Sequence, residues 1–346
     1  MKSSGYKRSA PSADFINCVT SVLWYLPKGI IMVHASKLYK YASYEEYRDN
    51  GMFSTEANCM QFLYDMKILR TNHQCPRCLI SMNLKECPTT KYREGCCWKC
   101  KCGKTIAPRI GSILENSNIT YEEFIKILAF FAEGKSVTSA AQHGNLAKDT
   151  VQRFYKKIHQ RIAEDIITKT KIGGPETVVE IDESKFGKQK YSCGRMVQGS
   201  WIFEGIQRGT YNDCFLTPCP GNLRDEPILL RLIQQFVIPG TTIITDGWKS
   251  YINLNKYGYV HTDVNHSEDF VNAATGGHTN LIEGTWTHAK NQALRRGGRK
   301  TVDSLRNDLS EFMWRRQKGL TATGSEGARQ IFSKELPSLL YYRNYC

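Results

Sequence analysis

Apolar positions along the chain change their period near residue 175. Between residues 41 and 69, and again between 121 and 167, they recur every three or four residues, the spacing that turns one face of an α-helix toward a core. In the first stretch Ser54 stands where an N-cap would, ahead of Ala57, Met60, Phe62, Leu63 and Met66. In the second, 136–143 reads as a short helix, 144–146 as a turn and 148–162 as another helix. Gly173, Gly174 and Pro175 then break the chain, and the main domain boundary is expected there. Beyond them apolar residues gather in short β-rich runs at 177–181, 200–207, 214–217 and 241–245. A helix is expected at 226–237, ahead of the fourth run, with further helices at 281–294 and 302–316. Three strands, a helix, another strand and then helices is the order of an α/β domain with a mixed sheet.

Length and composition set the number of cores and the kind of partner. With 346 residues and 41% hydrophobic content the chain can bury at least two of them. Residues 1–70 read as a basic arm and helical lead-in, 71–118 as a Cys-rich module with a polar hinge at 108–118, 119–172 as a helical region, and 173–346 as the α/β domain. Residues 1–14, rich in Ser, Pro, Lys and Arg, read as a flexible arm. A formal charge of +14 favours a polyanion, nucleic acid before an anionic membrane surface. The apolar stretch 15–35 is diluted by Asn17, Thr20 and Ser21 and cut by Pro27 and Lys28, so it falls short of a membrane span and reads as a buried helix or strand.

Of the 13 cysteines, Cys87, Cys96, Cys97, Cys100 and Cys102 crowd behind the pair Cys75 and Cys78. Such clustering points to metal binding more than to a disulfide framework, and hence to a reducing compartment: the nucleus in a eukaryote, otherwise the cytoplasm. Cys75 and Cys78, two residues apart, suit a tetrahedral Zn2+ held in a zinc ribbon. The second pair is either Cys100 with Cys102, beside Gly103, or Cys97 with Cys100. Residues 136–162 have the spacing of a helix-turn-helix, whose second helix would present Thr150, Gln152, Arg153, Lys156 and Lys157 to DNA bases and phosphates. A plain helical hairpin with a solvated basic face shares that pattern.

Asp182 ends one apolar run and Asp246 another, so the two carboxylates can lie side by side, while Glu283 opens a later helix that can pack on the same sheet. Three close carboxylates repel unless cations compensate them, and their oxygens suit Mg2+ or Mn2+. Two such ions can activate an attacking oxygen and stabilise a leaving one in displacement at phosphorus. Glu180, Glu183 and Asp263 are competing carboxylates. Asn280, His278 and Lys290 are placed to touch phosphate or steady the metals, and Arg295, Arg296, Arg299 and Lys300 to follow a DNA backbone.

These residues resemble the Merlin superfamily of DNA transposons and the related bacterial insertion-sequence transposases. The matching pieces are Cys75-Pro76-Arg77-Cys78, Trp98 to Cys100 leading to Arg109-Ile110-Gly111-Ser112, Glu180 to Ser184, Thr245-Asp246-Gly247-Trp248 with Tyr251, and His278 to Trp286. The resemblance implies a ribonuclease-H-like catalytic domain with an Asp-Asp-Glu triad at Asp182, Asp246 and Glu283, and favours Cys100 and Cys102 as the second zinc pair. It also implies cutting at terminal inverted repeats, joining of 3′ ends to target double-stranded DNA, and assembly as a homo-oligomer on paired ends. A domesticated, non-catalytic DNA-binding protein and a structure-selective nuclease are the competing functions.

Overall fold

The computed structural model describes residues 44–49, 51, 53–186, 199–210, 212–263, 280–295, 301–320 and 325–340. The chain divides into two compact units: Met1–Gln152 together with Thr323–Cys346, and Arg153–Ala322. The division falls inside a helix, not at the Gly173-Gly174-Pro175 break.

In the first unit, helices α1 (Tyr44–Asp49) and α2 (Glu56–Asp65) lead into an antiparallel sheet of β1 (Asn83–Glu86), β2 (Cys96–Lys99) and β3 (Thr105–Ile106). The cap of α2 is Thr55 and not Ser54: Thr55 has extended backbone and its hydroxyl accepts the Asn58 N–H, while Ser54 Oγ accepts the Asn58 side-chain amide. Leu84, Trp98 and Ile106 face one another across the three strands and bury a common row. The stretch 108–118 is no polar hinge. Arg109 is buried, its Nε 2.6 Å from Glu94 and its Nη1 donating to the carbonyls of Ser117 and Ile119, with the guanidinium 4.9 Å from the Tyr121 ring centre. Polar composition there reflects internal hydrogen bonding, which satisfies most of these groups from within the chain, Arg109 Nη2 being the exception.

Helix α3 (Tyr121–Ala132) opens with a capping box between Thr120 and Glu123 and buries residues all round, while Ser136 caps α4 (Val137–Gly144) and Asn145, with φ of 50°, ends it. Helix α5 (Lys148–Lys169) follows, with the division between the units at Gln152 and Arg153. Helices Ser325–Gln330 and Leu336–Leu340, on either side of a π-helical turn Ile331–Glu335, belong to this first unit; the Phe332 ring lies 5.9 Å from that of Phe62.

The second unit comprises β4 (Ile172–Gly173), β5 (Val178–Phe186), β6 (Ser200–Gln207), β7 (Cys214–Pro218), α6 (Glu226–Phe236), β8 (Val237–Ile238), β9 (Thr242–Thr245), β10 (Val260–Asp263), α7 (Asn280–Arg295) and α8 (Val302–Gln317). Five strands form one sheet in the order β10-β9-β5-β6-β7. β5, β6 and β7 pair antiparallel, while β9 joins β5 and β10 joins β9 in parallel. The sheet is therefore mixed, as the order of apolar runs implies.

One face of the sheet carries Phe203 and Phe215, whose ring stacks on Phe236 of α6 at 4.8 Å. Phe215 reaches that position because Gly205 faces it; a Cβ at 205 would stand 2.3 Å from the ring. The opposite face carries Glu180, Asp182 and Glu204, and α7 lies there. At the Gly173-Gly174 break Gly173 is itself sheet: it pairs with Ile238, and a Cβ on it would strike Thr241 Oγ1 at 2.3 Å. Strand β10 is absent from the apolar pattern because it is a four-residue edge with exposed Val260 and polar neighbours. Among the described residues no helix is long and apolar enough to cross a membrane.

Candidate functional site

Parallel pairing sets β5 beside β9 with Val178 opposite Thr242, Val179 opposite Ile243 and Glu180 opposite Ile244. Counting on in that register brings Asp182 level with Asp246, the first residue past β9. Asp246 is exposed, and its Oδ1 accepts the Trp248 N–H at 3.1 Å, which turns the chain away from the sheet. Gly247 has φ of +76°, and a Cβ there would lie 3.4 Å from Asp263 Oδ2, so the Asp263 carboxylate borders the same corner.

The third carboxylate arrives on α7, and Glu180 anchors that helix. Fully buried Glu180 accepts the Ile282 N–H at 3.2 Å through Oε2 and Arg208 Nε at 2.7 Å through Oε1. A first-turn N–H with no partner in its own helix is thereby satisfied from the sheet, and negative charge there suits the helix dipole. Glu283 follows directly and is exposed. One turn on, the Trp286 indole Nε1 donates to Asp182 Oδ2 at 2.9 Å, and its ring meets Phe186 edge-on at 5.8 Å. Asp182 Oδ1 accepts the Glu183 N–H at 2.7 Å.

Electrostatics link the three. Burial raises the Asp182 carboxyl, and the charges of Asp246 and Glu283 raise it further, against the hydrogen bonds from Trp286 and Glu183. Glu183, on the opposite face of β5, is pushed up to about 8 by burial and then by Asp182 and Asp246, with Arg224 opposing. Burial holds Glu204, beside Asp182 in the sheet, well above the carboxylate range, and neither of its carboxyl oxygens has a hydrogen-bond partner. Asp246 and Glu283 therefore act on Asp182 as like charges, which divalent cations bound through oxygen would offset.

In the first unit, the ligand atoms of Cys75, Cys78, Cys100 and Cys102 lie within 4.8 Å of one another. Cys75 Sγ is 3.6 Å from Cys102 Sγ, and Cys78 Sγ is 3.4 Å from Cys100 Sγ, separations close to the edge of a tetrahedron of thiolates around Zn2+. The Arg77 N–H donates to Cys75 Sγ at 3.4 Å, as expected where a tight turn wraps an ion. Cys97, the other candidate, is joined to Cys87 in a disulfide, a bond that the reading of clustered cysteines as metal ligands did not include.

Residues 154–317 match the family model of the ISXO2-like transposase domain. That span takes in just under half of the chain and includes Asp182, Asp246 and Glu283. It supports a DDE insertion-sequence transposase family for the α/β unit. A comparison with curated proteins gave no match.

Within the transposase-like span, Lys290 lies one turn beyond Trp286 with its ammonium 5.6 Å from the indole centre and 5.7 Å from that of Phe186. Asn280 opens α7 and Arg295 ends it, but their side chains, together with His278, Arg296, Arg299 and Lys300, lie outside the described residues. On α5, Gln152, Arg153 and Lys156 are exposed and Thr150 and Lys157 half-buried, with Arg153 and Lys157 both over the Phe154 ring. Sequence reasoning treated Glu180 as a rival metal ligand, whereas its contacts make it the anchor of α7. It missed the Trp286–Asp182 bond and the surroundings of Arg224. Only Trp286 left a trace, three residues after Glu283.

Proposed function

We propose that the chain is a cut-and-paste DNA transposase of the Merlin type, binding terminal inverted repeats, cutting at transposon ends and joining 3′ ends to target double-stranded DNA. The observation that carries this reading is the effect of the Asp246 and Glu283 charges on Asp182 within a span that matches a transposase domain. The sheet order β10-β9-β5-β6-β7 supports a ribonuclease-H-like catalytic domain.

Asp182, Asp246 and Glu283 are the residues to hold two Mg2+ or Mn2+ ions, and the all-oxygen donor set fits them. When bound, such a pair supplies Lewis-acid activation of the attacking and leaving oxygens at phosphorus. The chain itself supplies orientation: Trp286 fixes the Asp182 carboxylate, and Glu180 fixes the turn that bears Glu283. Helices α4 and α5 form the helix-turn-helix, with Thr150, Gln152, Arg153, Lys156 and Lys157 toward DNA, and Asn280, Lys290, Arg295 and Arg296 follow the strand near the carboxylates. Cys75, Cys78, Cys100 and Cys102 hold a structural Zn2+ in a zinc ribbon. Two copies or more on paired ends give the working assembly.

A strand-transfer assay with Mg2+ and candidate inverted-repeat DNA tests the reading, with joined products expected. Cleavage without joining would point to a structure-selective nuclease, and binding without cleavage to a domesticated DNA-binding protein.

A further inference from the structure

Arg224 stands between two indoles. Its guanidinium carbon lies 3.9 Å from the centre of the Trp201 ring and 4.3 Å from that of Trp248. Trp201 is held by the loop that leads to Arg224: its N–H donates to Asn222 Oδ1 at 2.7 Å, and its carbonyl accepts the Cys219 N–H at 2.9 Å. Trp248 is held at the acidic corner by the bond from its N–H to Asp246. Two aromatic contacts of this kind limit how far a planar cation can turn and leave its N–H donors available at the guanidinium edge.

Among the described residues those donors make no hydrogen bond, and Glu183 is their one ion-pair partner. The nearest carboxylate, Glu183, is 3.9 Å from Nη1, beyond hydrogen-bond reach, and Glu183 Oε1 itself has no hydrogen-bond partner. The Arg224 side chain is 40% exposed. A guanidinium held rigid by aromatic faces, with free donors at an open edge, is preorganised for a bidentate oxyanion. Its position, against the Trp248 ring whose backbone N–H bonds Asp246, selects which oxyanion. An acidic substrate passing the three carboxylates is drawn to such a cation, and Lys185, its ammonium 5.6 Å from the Trp201 ring centre, adds another.

We propose that Arg224, clasped by Trp201 and Trp248, binds a backbone phosphate of the DNA strand presented to Asp182, Asp246 and Glu283, and so sets the position of that strand. This rests on the reading of those carboxylates as a DNA-cutting centre. The contact is to phosphate and carries no base preference.

Binding of an arbitrary-sequence DNA duplex to the full chain, followed by fluorescence anisotropy across a range of salt concentrations, tests it. Arg224→Gln is expected to weaken binding several-fold and to reduce the slope of log affinity against log salt by about one, the signature of one lost phosphate contact. Arg224→Lys keeps the charge and is expected to restore the slope while remaining weaker than the parent protein, because an ammonium has no planar fork. An unchanged slope in Arg224→Gln, or an equal loss of slope in Arg224→Lys, would overturn the proposal. Metal-dependent cleavage by the unsubstituted protein is a separate readout. Its absence alongside a reduced slope would remove the cutting reading and leave the phosphate site, whereas cleavage with an unchanged slope would do the reverse.

Discussion

At Asp65 one carboxylate oxygen accepts a hydrogen bond from the Gln61 amide at 2.7 Å, and the other is buried with no partner. Burial raises this group from 3.8 to about 6, against the Gln61 bond. Between those values the folded chain keeps a proton that the unfolded chain has released, so stability falls as pH rises through the window, and the deficit is complete above about 6. Asp65→Asn is expected to raise the melting temperature at pH 7.5, corresponding to at most about 3 kcal/mol, and to have little effect at pH 4. Melting curves at the two pH values check this, and an equal shift at both would contradict it. The same physics operates at Asp182 with a different outcome, because there the neighbours that raise the group are themselves carboxylates. Asp182, Asp246 and Glu283 were legible in the sequence because each sits at the end of an apolar run or the start of a helix. Arg224, Trp201 and Trp248 were not, since their stacking joins three separate segments and leaves no local pattern.

Helices α5 and α8 are tied by a buried cluster. Glu311 is fully buried, with Oε2 2.6 Å from His159 Nε2 and Oε1 2.8 Å from Arg315 Nε. Glu311→Ala would remove the buried carboxylate that His159 and Arg315 both meet, a loss of about 3–5 kcal/mol. Glu311→Gln keeps acceptor and donor capacity and is expected to lose less. Chemical denaturation of the two variants, followed by fluorescence, measures the difference, and equal losses would show that shape, not charge, decides. Element by element, strand β6 was legible from end to end, since Trp201, Ile202, Phe203 and Ile206 mark residues 200–207 as a strand despite Glu204 and Gly205. Strands β1 to β3 carry no such run, because cysteines and a shared row of Leu84, Trp98 and Ile106 hold them. Residues 325–340 were read with the α/β domain from their place in the chain, yet Phe332 packs on Phe62, a contact that chain order cannot show.

Over the whole molecule, a charge of +14 coexists with carboxylates whose charges act on Asp182, the combination expected where a polyanion must be held and also cut. The thiols belong to a different unit from the carboxylates. Removing Zn2+ with a strong chelator is therefore expected to raise amide exchange in residues 73–106 by at least tenfold while leaving β5, β6 and β9 protected. Hydrogen exchange read by mass spectrometry follows both units at once, and unchanged protection around the thiols would rule out a structural metal there. The central claim is that Asp182, Asp246 and Glu283 share a pair of divalent ions. Electron paramagnetic resonance of Mn2+ bound to the full chain with a DNA duplex tests it most directly, since two ions roughly 4 Å apart give a spin-coupled signal. The coupled signal is expected in the unsubstituted protein and lost in each of Asp182→Asn, Asp246→Asn and Glu283→Gln. A coupled pair that survives any one of these substitutions would contradict the account.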